Sequence, residues 1–256
     1  MSALDRIGRN VRAAVHYRPG QILHRVANRL RRRWTSIAPQ RLRSSIARAS
    51  GDVAASDELR CPEALRSFLL DPEVSPPSRV DDLRRGRFTF VGESRDLGDR
   101  PDWYWKRSPA PSHLWRINLH YHRFLVDAAV GALRSPASSA PLLERAGNLL
   151  DHWTESCVPG EAEAWDSAWN SYAVSSRVLN GWLARLLVAE VQGGPAEAFR
   201  RRLDHLGSSS AAVLERWMEW DLGGNHLLRN AAGLLAAGRW FEGRPAGRWE
   251  TVGRDL

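Results

Sequence analysis

From Pro111 onward, apolar residues recur at three- and four-residue spacing between short breaks rich in Gly, Pro and Ser. That is the pattern of consecutive amphipathic helices. The spacing predicts a helix over Trp115–Leu133, with Leu119, Phe124, Ala128 and Leu133 apolar and a Ser-Pro-Ala-Ser-Ser break after it. A second is expected over Pro141–Trp153, opened by proline, and a third over Tyr172–Val191, stopped by Gln192-Gly193-Gly194-Pro195. Ala196–Trp220 reads as two helices parted near Leu206-Gly207-Ser208, and Leu227–Trp240 as the last. Short connections make successive helices antiparallel, so this part is expected to be all-α and built of helical hairpins.

The preceding stretch is less regular. Ser44-Ser45 and Asp71–Ser78 read as loops, while Arg87-Phe88-Thr89-Phe90-Val91 alternates like a short strand. Asp102-Trp103-Tyr104-Trp105 is an aromatic cluster, read as packing against the helices that follow. The expected organisation is an Arg-rich helical arm over 1–50, an irregular linker over 51–110 and a helical domain over 111–256.

Near the end of the chain, Gly223-Gly224 interrupts whatever helix carries Trp217 and Trp220, because glycine leaves helical dihedrals most easily. Leu227, Leu228, Ala231, Ala232, Leu234 and Leu235 then begin a new apolar face. Asn225 and His226 fall at that break. One reading makes Asn225 the N-cap of the new helix and His226 a first-turn residue without chemistry. The other lets both side chains face a cavity.

The arm at 1–50 places Ile22, Leu23, Val26 and Leu30 on one helical face, with Arg25, Arg29 and Arg31 to Arg33 elsewhere. Composition matters here because the charge is localised. The arm holds twelve Arg against the single acid Asp5, a balance of +11, which leaves the rest of the +8 chain at −3. A pI argument for the whole molecule is therefore misplaced. Two readings of the arm stay open. It is either a helix packed on its own domain with a solvated outer face, or a basic amphipathic helix for an anionic membrane or nucleic acid. With no apolar run long enough for a signal-peptide core or a membrane span, the chain as written reads as cytoplasmic.

Hydrophobic content of 43% and twelve Trp fit a folded chain with a large core. Cys61 and Cys157 have no paired spacing. His120 and His122 are two apart and would not share a helical face. No phosphate loop, dinucleotide fingerprint or G-x-S-x-G occurs, so neither a cofactor nor a metal is expected.

Three segments in order resemble the heparinase II/III-like polysaccharide lyases. They are Leu114-Trp115-Arg116-Ile117-Asn118-Leu119-His120-Tyr121, then Trp169-Asn170-Ser171-Tyr172 through Asn180, then Gly224-Asn225-His226-Leu227-Leu228 followed by Asn230-Ala231 and Gly238-Arg239-Trp240-Phe241. Arg18-Pro19-Gly20-Gln21 is similar to the opening of these proteins. The resemblance implies an incomplete (α/α) toroid, normally followed by more helices and a β-sandwich. It further implies β-elimination on an acidic, uronate-containing polysaccharide, with periplasmic or secreted placement as the alternative location. By position, Asn225 would neutralise the substrate carboxylate and His226 would serve as donor or acid/base. Tyr172, Arg177, Asn180, Trp115 and His120 would line the cleft. For Arg177 a helix-to-helix ion pair is the equal alternative.

These lyases place a tyrosine base beyond the Asn-His motif. All four tyrosines here (Tyr17, Tyr104, Tyr121 and Tyr172) precede it. The resemblance thus implies the N-terminal part of a lyase, weakly active or inactive without a separate C-terminal half. Non-catalytic carbohydrate binding, or nucleic-acid or membrane binding through the arm, are the competing readings.

Overall fold

The computed structural model describes residues 19–105, 109–161, 163–222 and 224–256. The described residues form eleven α-helices and two small two-stranded sheets. The helices are α1 (Pro19–Ile37), α2 (Pro39–Gly51), α3 (Glu63–Leu70), α4 (Pro77–Arg85), α5 (His113–Leu119), α6 (Phe124–Arg134), α7 (Ser139–Ser156), α8 (Ser171–Val188), α9 (Gly194–Leu214), α10 (Gly224–Trp240) and α11 (Arg244–Arg254). The strands are β1 (Ala54–Ala55), β2 (Arg87–Phe90), β3 (Glu93–Asp96) and β4 (Phe241–Glu242).

The architecture is all-α and follows from how much of each helix is apolar. In α6, every residue from Phe124 to Ala132 is buried, and α8 buries residues on all sides, including Val174, Arg177, Val178 and Gly181. Helices apolar all round must sit inside. Accordingly α8 packs against both α6 and α10, and these three form an inner layer. Helix α7 packs on α6 and α9 on α8, each as the antiparallel outer partner of a hairpin. Arg177 reaching Ser210 and Arg185 reaching Asp204 fix the opposed directions of α8 and α9. Helix α11 returns along α10, so close that a Cβ at Gly253 would lie 2.7 Å from the Ala231 carbonyl.

Three boundaries differ from the spacing. The helix expected over Trp115–Leu133 is two, α5 and α6, parted at His120–Arg123, where His122 has φ +55°. Periodicity registers burial, and Trp115, Leu119 and Phe124 stay buried on both sides of the break, so the spacing continues across it. Conversely, α9 runs unbroken through Leu206-Gly207-Ser208. Gly207 is a slot for an aromatic ring, since a Cβ there would lie 2.5 Å from Cζ3 of Trp240. Beyond α9, residues 215–222 are irregular, and α11, which follows Gly243, has no counterpart among the expected elements.

The stretch 51–110, read from sequence as irregular with one possible strand, carries α3, α4 and a β2–β3 hairpin in which Arg87 pairs with Asp96. Strand β1 pairs antiparallel with β4, Ala54 opposite Glu242.

Of the expected arm, residues 1–18 lie outside the described residues. Helix α1 meets the body through its polar side. His24 Nε2 lies 3.1 Å from the Met218 carbonyl, Arg25 pairs with Asp221 at 3.2 Å, and Arg32 stacks over Trp165. The apolar stripe of Leu23, Val26 and Leu30, continued by Trp34 and Ile37, points outward and is exposed. Helix α1 is thus packed on its own domain, and its solvated outer face is the apolar stripe. No helix among the described residues is long and apolar enough to cross a membrane.

Candidate functional site

The site begins with the irregular segment after α9. Trp217 and Met218 are buried, Trp217 with its ring 4.7 Å from Trp165, and this anchors the chain before Glu219. The Ser171 hydroxyl donates to the Trp217 carbonyl. From α10, Asn230 reaches back, and its Oδ1 accepts the Glu219 backbone N–H at 2.8 Å. So held, the Glu219 carboxylate lies 3.1 Å from Nδ1 of His226. An ionised carboxylate only accepts, so Nδ1 donates to it, and in the neutral ring Nε2 is then the nitrogen with the lone pair. Burial raises the Glu219 pKa, and the His226 hydrogen bond opposes that rise.

Asn225 does not take the N-cap position of the bland reading. Helix α10 already starts at Gly224, which has φ +52°, and Asn225 is an exposed first-turn residue. Gly223 lies outside the described residues. His226 is half-buried, its ring centroid 4.9 Å from that of Tyr172. Tyr172 stands in the first turn of α8, where Asn170 caps the helix by accepting from the Tyr172 and Ala173 N–H groups. Helices α8 and α10 run the same way, so their N-terminal turns share one rim. Tyr121, just before α6, joins them with its ring 5.9 Å from Tyr172. Adjacent helix N-termini make such a rim favourable for anions.

From this rim a cleft of about 550 Å³ extends along the inner layer. Tyr121, Asn180 and Arg229 line the end near Tyr172, and Arg79, Arg87 and Arg123 lie further along. The Arg229 guanidinium sits 5.8 Å from the Tyr172 ring, with Nε donating to Ser176. Asn180 donates to the Tyr121 carbonyl at 2.8 Å, so its amide holds the loop before α6 while lining the cleft. Burial pushes the Tyr121 phenol up to about 12, and neighbouring Tyr172 adds to the rise, so Tyr121 is a hydrogen-bond donor across the neutral range.

Asn225, His226 and Tyr172 are therefore grouped at one rim, and Asn180 lies further along α8 in the cleft lining. Trp115, His120 and Arg177 are in neither place: each is 0% exposed. Trp115 donates to the Glu93 carbonyl at 2.9 Å and packs edge-on against Phe90 and Trp105. His120 accepts from the Trp153 indole at 3.0 Å, and burial with nearby Arg177 lowers its pKa to about 3. Arg177 forms no ion pair of the kind weighed from sequence. It donates to the carbonyls of Ala168 and His120 and to Ser210, between the rings of Trp153 and Trp169. Burial lowers it to about 9, which leaves it charged at neutral pH. These three side chains hold the inner helices together and reach no cleft. Trp103, of the Asp102–Trp105 cluster, is likewise buried, against His120, His122 and His152.

Glu219, Asn230, Arg229 and Tyr121 are site residues given no role from sequence, although Tyr121 and Asn230 stand within the segments that carry the resemblance. Arg229 and Asn230 follow His226 by three and four residues, the helical spacing that places them on its side of α10. Among the described residues, no three His, Cys, Asp or Glu side chains gather as a metal site.

No protein-family model matches the chain, and no curated protein does either. Among solved structures, the chain is similar to heparan sulfate lyase HepC from Pedobacter heparinus, with a TM-score of 0.57 and 18% identity over 69% of this chain. A mutant of the same lyase gives 0.58 and 19% over 70%. At this identity the likeness shows a common helical fold. The chain spans about a quarter of that lyase, 27% and 28% of the two solved chains.

Proposed function

We propose that this chain is the N-terminal toroid part of a polysaccharide lyase that cleaves an acidic, uronate-containing polymer by β-elimination. The observation that carries the reading is the single rim on which Asn225 is exposed and His226 is oriented by Glu219 against Tyr172, whose ring also meets Tyr121 and Arg229 from the neighbouring cleft. The fold shared with a heparan sulfate lyase supports it. Because the chain spans about a quarter of that lyase, the reading has the rest of the substrate channel supplied by a further C-terminal lyase part.

β-Elimination needs three things at once. The sugar carboxylate must lose its negative charge so that the neighbouring C5–H becomes acidic, a base must take that proton, and the departing O4 must receive one. Asn225 and the Arg229 guanidinium neutralise the carboxylate as hydrogen-bond donors. His226 Nε2 takes the C5 proton, its tautomer set by Glu219. The C4–O4 bond breaks as the C4–C5 double bond forms, and O4 takes its proton from the nearest phenol, Tyr172. The proton held by His226 then returns to Tyr172 and resets the pair.

The test is Asn225→Asp. If Asn225 is an exposed first-turn residue with no ligand, an acidic side chain there suits the helix N-terminus and changes stability by no more than about 1 kcal/mol. If it faces a uronate, the same change sets two anions against each other. Oligouronate binding should then fall at least tenfold on this chain, and the unsaturated-uronate absorbance should disappear on the chain joined to a C-terminal lyase half. Equal binding and turnover in parent and variant remove the assignment. With Arg79, Arg87, Arg123 and Arg229 against Asp82 and Asp127, the cleft lining is net basic even though Arg87 and Arg123 are ion-paired, which favours a second reading, binding of an acidic polysaccharide without turnover. That reading predicts salt-sensitive binding with no absorbance in either setting.

A further inference from the structure

Helix α1 is an amphipathic helix turned inside out. Its polar side grips the body: His24 at the Met218 carbonyl, Arg25 at Asp221, Arg31 at the Arg216 carbonyl and Arg32 over Trp165. Its opposite side sends a continuous apolar stripe into solvent, with Leu23 at 72% exposure, Val26 at 51%, Leu30 at 54%, Trp34 at 68% and Ile37 at 68%. These positions step by three and four residues, so they form one face. An apolar face of this length on a helix already fixed by its polar side marks a surface that something else covers.

Charge decides among the candidates. Arg29 and Arg33 are exposed on the flank of the stripe. Behind Trp34 a groove of about 610 Å³ opens between α1 and α2, with Arg31, Arg41 and Arg216 against the single acid Glu215 around it. In sequence the arm as a whole balances at +11. An apolar stripe of Leu, Val, Ile and one Trp, bordered by arginines, is the composition of a helix that lies in the headgroup layer of an anionic bilayer. A nucleic acid would engage the arginines but leave the stripe in water. A second copy of the chain would bring arginine against arginine. We infer that α1 is a membrane-surface anchor, with the Leu23–Ile37 stripe entering the interface of an anionic phospholipid bilayer and the flanking arginines meeting the phosphates. The inference is independent of the chemistry proposed for the Asn225–His226 rim.

The experiment is co-sedimentation of the full chain with phosphatidylcholine vesicles and with mixed phosphatidylcholine–phosphatidylglycerol vesicles. The comparison protein is the double variant Leu30→Gln/Trp34→Gln, which keeps the charge and changes only exposed side chains. The parent should pellet with the mixed vesicles and stay in solution with phosphatidylcholine alone. The variant, with an unchanged melting temperature, should lose at least tenfold of the bound fraction. Equal pelleting of parent and variant would reduce the effect to charge alone and overturn the anchor. A parent that ignores both vesicles overturns it too. In that case, sedimentation velocity showing a dimer broken by the variant assigns the stripe to a second copy, and binding to duplex DNA by both proteins assigns the arm to nucleic acid.

Discussion

Asn230 Oδ1 accepts the backbone N–H of Glu219 at 2.8 Å, and its amide donates back to Ser171 and Ser175 at 3.3 Å each. One fully buried side chain on α10 thereby fixes both the loop that presents Glu219 and the start of α8 that presents Tyr172. The geometry of His226 between those two residues depends on it.

Asn230→Ala should therefore act on the site and on stability together. It leaves the Glu219 N–H buried without its partner, at about 1–3 kcal/mol, and removes the second donor to the Ser171 carbonyl and the donor to the Ser175 hydroxyl, beside a small cavity. Urea unfolding should show a loss of about 2–4 kcal/mol. Asn230→Asp should do no better, because an acceptor would then face the Ser171 carbonyl. A midpoint within experimental error of the parent for either variant would remove Asn230 as the link.

Arg177 should behave as a structural cation. Arg177→Met removes the donors to Ala168, His120 and Ser210 while filling the space between Trp153 and Trp169. The buried carbonyls left behind cost about 2–4 kcal/mol. Arg177→Lys should recover little, since an ammonium lacks the planar fork that reaches separate acceptors and stacks on rings. If Arg177→Met keeps full stability and loses oligouronate binding instead, Arg177 belongs to the cleft.

His120 links stability to pH with a definite sign. Burial lowers its folded pKa from 6.5 to about 3, so the unfolded chain binds the proton first as pH falls. Its contribution is constant above about pH 6.5 and is lost progressively between that pH and about 3. The slope is at most about 1.4 kcal/mol per pH unit. His122, also held low by burial, adds in the same direction. His120→Asn keeps an acceptor for the Trp153 indole and cannot titrate, so denaturation curves from pH 7 to pH 4 should be flatter for the variant. Parallel curves would show that another group carries the acid sensitivity.

Gly207→Ala places a methyl group against the Trp240 ring, where a Cβ would sit 2.5 Å from Cζ3. Overpacking of this kind costs about 1–3 kcal/mol. Trp240→Phe shortens the ring at that contact, so the double variant should be less destabilised than the two single losses added together. Strict additivity in thermal or urea unfolding would sink the slot interpretation.

Much of the helical framework was legible because apolar spacing is a direct record of which side faces the core, and α7, α8 and α10 lie where that spacing places them. The same record misled wherever burial and helix ends part company. At His120–Arg123 the core continues through a break, and at Gly207 a glycine serves packing within an unbroken helix. At the site, the glycine break before α10 drew attention to Asn225 and His226. Glu219 and Asn230 received no role because theirs come from a loop folding back on a later helix, which no local spacing encodes. Trp115, His120 and Arg177 share segments with cleft residues such as Tyr172 and Asn180. A motif read as sequence does not separate the side chain that faces a ligand from one a turn away that faces the core.

The pairing of Ala54–Ala55 with Phe241–Glu242 has a consequence for how the chain is made. Gly243, at φ +119°, lets the backbone pass so near Asp52 that a Cβ would sit 2.4 Å from its carbonyl oxygen. During synthesis, β1 leaves the ribosome long before its only strand partner among the described residues exists. The inner helices can assemble one hairpin at a time as they emerge, while this seam closes only after α10 has been delivered. A strand translated early in the chain is thus among the last to be fastened.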